Sequence, residues 1–323
     1  MGFSLAQPHL QWRQCWGKQV HRLKRPSIAA PVCAAAALLA LSCLLANAQQ
    51  APAGPGTATT PVQPASAASL NDSLMARATA IYSSTVKSGL RSFDCQVHPD
   101  WYKIIVTSRK SVPLASGDAR PALLGAVKVT LHARLAGGST LDWQPSPDSG
   151  QPRDQATLDM LDRAHRSIES TLEGVLKLWI PLVDGSLAES LGGDDREVAQ
   201  TAGGYVVQSK DQSKDTQKSP VQTHSVTEKF DRNLLLEHFT LVNAGSTSSL
   251  TPTFQSTPPG LLVSGFDVRL QPAGVPATDA QQMHIAFEYQ TVSGIQIPGS
   301  INVQLPNVVQ INFALDGCTV NAR

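Results

Sequence analysis

Between Tyr205 and Leu315 the sequence repeats one unit, a short run rich in β-branched and aromatic side chains followed by turn residues. The runs are Tyr205 to Ser209, His224 to Phe230, Leu234 to Val242, Leu261 to Leu270, Met283 to Thr291, Ile295 to Leu305 and Val308 to Leu315. Asp231-Arg232-Asn233, Ser293-Gly294 and Pro306-Asn307 separate several of them. Connections this short reverse the chain, because a parallel neighbour needs a crossover of about a dozen residues or more. The spacing therefore predicts a mostly antiparallel meander.

Upstream the same period of two recurs. Val127, Val129, Leu131, Ala133 and Leu135 alternate with Lys128, Thr130, His132 and Arg134, and Gly137-Gly138 turns the chain into Thr140 to Gln144. That pattern predicts a hairpin with one wet and one buried face. Two segments have the helical period instead. Leu70, Leu74, Ala78, Ile81, Val86 and Leu90 make one stripe, with Gly89 near its stop; Leu158, Leu161, Ala164, Ile168, Leu172, Val175, Leu176 and Trp179 make a longer one. Asp154 is placed to cap the second helix and Pro181 to end it.

Helices segregated from strands give an α+β class. A twisted meander this broad curls, so the expected architecture is a curved, half-barrel-like antiparallel sheet with two amphipathic helices on its concave face. It is expected as a single domain over residues 70–323, with a mobile polar excursion at 208–222 that is rich in Lys, Asp, Ser and Gln.

The amino-terminal segment reads as an address. Arg22, Lys24 and Arg25 precede the uncharged stretch Ile28 to Leu45, which ends at Ala46-Asn47-Ala48. This is the layout of a secretory signal over residues 1–48, with cleavage between Ala48 and Gln49. Two alternatives are retention as a membrane anchor and acylation at Cys43. Pro31 and the alanine content argue against the first, and the better cleavage site at Ala48 against the second. Residues 49–69, rich in Pro, Ala and Thr and free of charge, form a disordered tether, because such composition buries too little apolar surface to offset ordering entropy. The leader holds five of the 26 basic residues and no acidic ones, so the processed chain has 21 basic against 25 acidic groups. Scattered basic residues on an acidic chain give no footprint for nucleic acid.

Processing leaves two cysteines, Cys95 and Cys318. In an oxidising compartment an isolated pair forms a bridge, here tying the first strand to the last. The competing role, a reactive thiol beside His98, lacks an orienting group. Asp94, Cys95, His98 and Asp100 are the one dense cluster of metal-ligand types, equally explained as a polar loop. The remaining histidines, His132, His165, His224, His238 and His284, are too far apart in sequence to share a helical face. Asp194-Asp195 lacks the spacing of a calcium loop. There is no Gly-x-Ser-x-Gly elbow, His-Glu-x-x-His or phosphate-binding glycine loop. Asp159, Asp162, Glu169 and Glu173 read as the solvated face of the long helix, and Trp101, Trp143 and Trp179 as core. No catalytic, cofactor or metal residue is expected.

The run Gly260-Leu261-Leu262-Val263-Ser264-Gly265, followed by Phe287-Glu288-Tyr289-Gln290-Thr291-Val292-Ser293-Gly294-Ile295-Gln296-Ile297-Pro298, resembles the Lol-type lipoprotein carriers and their lipid-binding relatives. The resemblance lies in a strand passing through a short turn into an Ile-x-Ile-Pro strand start, and it extends loosely over Leu70 to Asn321. It implies a helix-capped half-barrel that holds lipoprotein acyl chains or free lipid in an apolar cavity. The chain departs from that pattern in its long middle helix, its polar excursion and its cysteine pair. No ligand contact carries over to a numbered residue.

The expected function is thus an exported, non-enzymatic protein binding or carrying a lipid or acyl chain, with peripheral membrane contact. A second expectation is a tethered cell-envelope domain that meets a protein partner without a ligand cavity. A third is a hydrolase whose site assembles from distant residues.

Overall fold

The structure, a computed structural model, describes residues 65–322 apart from 86, 109–116, 137, 145–153, 193–195, 213–222, 244 and 307–308. The meander occupies its carboxy-terminal half: β4 (Arg196–Gln200), β5 (Gly204–Gln212), β6 (Thr223–Asp231), β7 (Leu236–Asn243), β8 (Ser246–Thr257), β9 (Gly260–Pro272), β10 (Gln281–Val292), β11 (Ile295–Leu305) and β12 (Val309–Ala322). Each pairs antiparallel with the next. Beyond β12 the sheet continues with β1 (Leu90–Pro99), β2 (Lys128–Arg134) and β3 (Gly138–Gln144), also antiparallel, giving one open sheet of 12 strands in the order β3-β2-β1-β12-β11-β10-β9-β8-β7-β6-β5-β4. The fold is α+β, as expected, and the sheet is not closed.

Helix α1 (Ala65–Ile81) leads into β1. Helices α2 (Trp101–Ser108) and α3 (Arg120–Gly125) lie between β1 and β2. The long α4 (Gln155–Val183) and the short α5 (Ser186–Glu189) join β3 to β4, the two edge strands. Asp154 caps α4 through the Thr157 amide at 2.7 Å. Pro181 lies inside the last turn and does not end the helix, which runs on to Val183 because the Ile180 carbonyl still accepts the Asp184 amide. At about 1.5 Å per residue α4 is about 43 Å long.

Its apolar stripe is buried from Leu161 through Val183, and Trp179 is the largest side chain in it. Trp179 lies 6.3 Å from Phe93 on β1 and 6.4 Å from Phe287 on β10, strands that are three spacings apart in the sheet. Three spacings on a flat sheet are about 14 Å, so one indole reaches both rings because the sheet curls toward the helix. The concave face carries the main core, including Phe93, Val97, Leu131, Phe266, Ile285, Ile301 and Phe313.

The first helix differs from its expected extent at both ends. It begins at Ala65, inside the stretch expected as tether, where alanine favours helix. It stops at Ile81 instead of continuing toward Gly89, because the following backbone is claimed by other partners: the Ser83 amide donates to the Leu261 carbonyl at 2.8 Å and the Thr85 amide to Val183 at 2.8 Å. Tyr82 drops its hydroxyl onto the β6–β7 turn, donating to the Leu234 carbonyl at 2.8 Å and accepting the Leu236 amide at 2.7 Å. Leu90, expected on the helix stripe, opens β1 instead. The approach of this segment to β9 requires Gly260, whose φ is +133° and where a Cβ would sit 2.6 Å from the Ile81 carbonyl oxygen.

The first residues of the expected excursion, Gln208 to Gln212, extend β5; the rest of 208–222 lies outside the described residues. So do the leader, Cys43, the cleavage pair Ala48 and Gln49, and Asp194-Asp195.

Candidate functional site

Strand β6 points Val226, Glu228 and Phe230 toward the helices, and all three are buried, while Lys229 is exposed. A carboxylate at an inward position breaks the apolar alternation of the sheet. Register places Glu228 in a cross-strand row with Val207 on β5, Phe239 on β7 and Leu250 on β8. Above this row the end of α4 contributes Leu178, Pro181 and Leu182, α5 contributes Ser186 and Leu187, and edge strand β4 contributes Arg196. Together with Ser209, Val226, Phe239 and Leu250 they enclose a partly open cavity of about 70 Å³. The Pro181 ring removes one backbone amide from the wall of that cavity, at the turn where the helix is about to end.

Glu228 and Arg196 are the charged members of this lining. The Arg196 guanidinium approaches Glu228 Oε2 to 3.6 Å, with the Arg196 side chain 25% and the Glu228 side chain 9% exposed. Oε2 itself is buried and accepts no hydrogen bond. Burial pushes the Glu228 carboxyl above the usual carboxylate range, and the Ser190 hydroxyl and the Arg196 charge pull it back. An unpaired oxygen at this depth forfeits its hydration without replacement, which marks a place where a bound group would be favoured.

The residues singled out in the sequence do not converge on this cavity. Cys95 and Cys318 form the expected disulfide, between β1 and β12. Of the cluster Asp94, Cys95, His98 and Asp100, for which a polar loop is an equally good explanation in sequence, the first three members lie on β1, whose alternation turns Cys95 into the core and the others outward. On that outer face His132 takes Asp94 at 2.7 Å and Asp142 at 3.3 Å, His98 takes Asp316 at 3.0 Å and His284 takes Asp267 at 2.8 Å. The two carboxylates, Asp94 first, raise the pKa of His132. Among the described residues no three His, Cys, Asp or Glu side chains gather as a metal site.

The acidic residues of α4 pair along the helix: Asp162 with Arg166 at 2.6 Å, Glu173 with Lys177 at 2.6 Å, and Glu169 with His165 at 3.9 Å. Trp179 and Trp101 are core; Trp143 packs edge-on to Trp101 and stacks on His165 at 5.0 Å, which fastens α4 to edge strand β3. Glu228 and Arg196 went unread in the sequence. The available signal was a glutamate in phase with Val226 and Phe230 on a strand already expected.

No family model matches the chain. A search of curated proteins likewise finds no match. Among solved structures, a DUF1329 family protein from Desulfovibrio piger is similar over 79% of this chain and 93% of that chain, at 10% identity and a TM-score of 0.27. A likeness of that size bears on neither the fold nor the function of this chain, so both rest on the geometry above.

Proposed function

We propose that the chain is an exported, non-enzymatic protein that binds or carries a hydrophobic ligand, a lipid or acyl chain, between its sheet and helices. The observation that supports this is the partly open cavity under the end of α4, walled by Leu178, Leu182, Leu187, Val226, Phe239 and Leu250. Its 70 Å³ is small beside the roughly 300 Å³ or more of a site that encloses a whole small molecule. It therefore takes one end of a ligand, the remainder lying in the opening. Each methylene buried there contributes about 0.8 kcal/mol. Export to the periplasm or cell envelope agrees with the leader-like residues 1–48 and with a disulfide, which persists in oxidising compartments.

The test is lipid extraction from the purified full chain followed by mass spectrometry, together with displacement of a fluorescent fatty-acid probe. Co-purifying acyl lipid or saturable displacement is the expected result. A chain that carries no lipid and binds no probe overturns the reading.

One observation favours a second reading, a tethered envelope domain with a protein partner: among the described residues the sheet is open, and β3 and β4 each pair on one side only. Unpaired strand edges are templates for strand addition. Cross-linking in envelope extracts, with capture lost on Val198→Pro in β4, would support it.

A further inference from the structure

The ligand reading says nothing about which end of an amphiphile enters, or what chemistry that end carries. Four observations bear on it. Glu228 Oε2 is buried on the cavity wall without a hydrogen-bond partner. Its side chain is more than nine-tenths buried. Arg196 stands 3.6 Å away, too far for a hydrogen bond and near enough for an ion pair, so a gap separates a donor fork from an unsatisfied acceptor. The rest of the lining is apolar apart from Ser186 and Ser209, so a charge brought in by a ligand meets no other compensating group.

We infer that the cavity takes the polar end of its ligand, and that this end is a neutral, hydroxyl-bearing head group on an apolar chain, hydrogen-bonded to Glu228 Oε2 beside Arg196. The inference rests on the hydrophobic-ligand reading. With both side chains charged the pair is electroneutral. A carboxylate head would then face the Glu228 charge, and an ammonium head would face Arg196. A hydroxyl both donates and accepts. It donates to an ionised Oε2, or accepts from a protonated one, and in either state its oxygen can take an N–H from Arg196. The buried oxygen thereby recovers the partner it lost on folding, which gives the head group a larger effect here than at the surface. Fatty alcohols and monoacylglycerols share this chemistry.

The experiment compares 1-decanol, decanoate and decyltrimethylammonium for displacement of a neutral fluorescent probe from the full chain at pH 8, with 1-monodecanoylglycerol distinguishing the two hydroxyl sources. The expected result is that decanol competes about tenfold better than either charged amphiphile, the size of one buried hydrogen bond. In Glu228→Leu that preference is expected to shrink to roughly threefold or less, because the apolar replacement removes the oxygen. Glu228→Gln, which stays polar, serves where the leucine variant fails a near-ultraviolet circular dichroism check; it is expected to bind decanol and to gain affinity for decanoate. Equal competition by decanol and decanoate in the unmodified chain, or an undiminished preference in Glu228→Leu, overturns the head-group inference while leaving the ligand reading standing. Displacement by none of the amphiphiles overturns both.

Discussion

Trp179 Nε1 donates to the Tyr289 hydroxyl at 2.7 Å, and that hydroxyl donates onward to the Val263 carbonyl at 2.6 Å. The long helix is thereby stitched to two strands, β10 and β9, through the polar tips of two aromatic side chains whose bodies lie in the core. Tyr289→Phe keeps the ring and removes the relay, leaving a buried indole N–H and a strand carbonyl unsatisfied. The expected loss is about 1–3 kcal/mol, read from urea unfolding followed by tryptophan fluorescence; a variant as stable as the parent would mean that water replaces the hydroxyl.

Gly260 should be much less replaceable than Gly294. An added Cβ meets the backbone of Ile81 and Ser83, at 2.6 and 2.9 Å, in a φ region that alanine avoids. Gly294 also has a positive φ, +82°, yet nothing lies within 4 Å of its Cβ position. Gly294→Ala should therefore cost about 1 kcal/mol, the backbone penalty alone, and Gly260→Ala clearly more. Paired thermal melts of the two variants check the order.

Reduction of Cys95–Cys318 should lower stability substantially, because the bridge closes 223 positions of sequence. The chain-entropy model puts an upper value of roughly 5 kcal/mol on such a closure. Urea titrations with and without reductant measure it, and unchanged midpoints would show that the reduced unfolded chain keeps enough residual structure to cancel the closure entropy.

Glu228 sets a pH dependence with a definite sign. Its folded pKa is raised above the ordinary value of 4.5, chiefly by burial, so the proton is held more tightly folded than unfolded. Its contribution is fully present below the unfolded pKa and is lost as pH rises through the folded one. Glu228→Gln, which cannot ionise, should gain stability relative to the parent as pH rises above the ordinary glutamate range. Equilibrium unfolding across that rise checks the slope, and a difference independent of pH would show that the carboxyl titrates as though exposed.

The meander was legible because its turns are short and chemically marked: Ser293 and Gly294, both at positive φ, join β10 to β11 as the dipeptide suggested. Strand β8 was not legible. Its inward residues include Ser248, Leu250 and Pro252, and a serine and a proline at buried positions erase the alternation that a single strand would need to announce itself. Strand β4 was hidden by its length of five residues. The premature end of α1 depends on Leu261 and Val183, which are far away in sequence and compete for backbone groups that local periodicity assigns to the helix. Glu228 illustrates the same limit at the site. Its unusual character appears only once the neighbours of β6 establish which side of the strand is dry, and Arg196 is supplied by an edge strand that the pattern did not reveal.

The pairing of β1 with β12 has a consequence for the order of events in the life of the chain. Strands β1 to β3 are made first, yet the surface that receives them is the last long strand before the carboxy terminus. Until that strand emerges, the early hairpin has no lateral neighbour and the indole of Trp179 lacks one wall of its socket. Contacts so distant in sequence slow folding. A chain truncated before Val309 would leave β1 to β3 without that neighbour, and the Cys95–Cys318 link records that the earliest strands have met the strand made last.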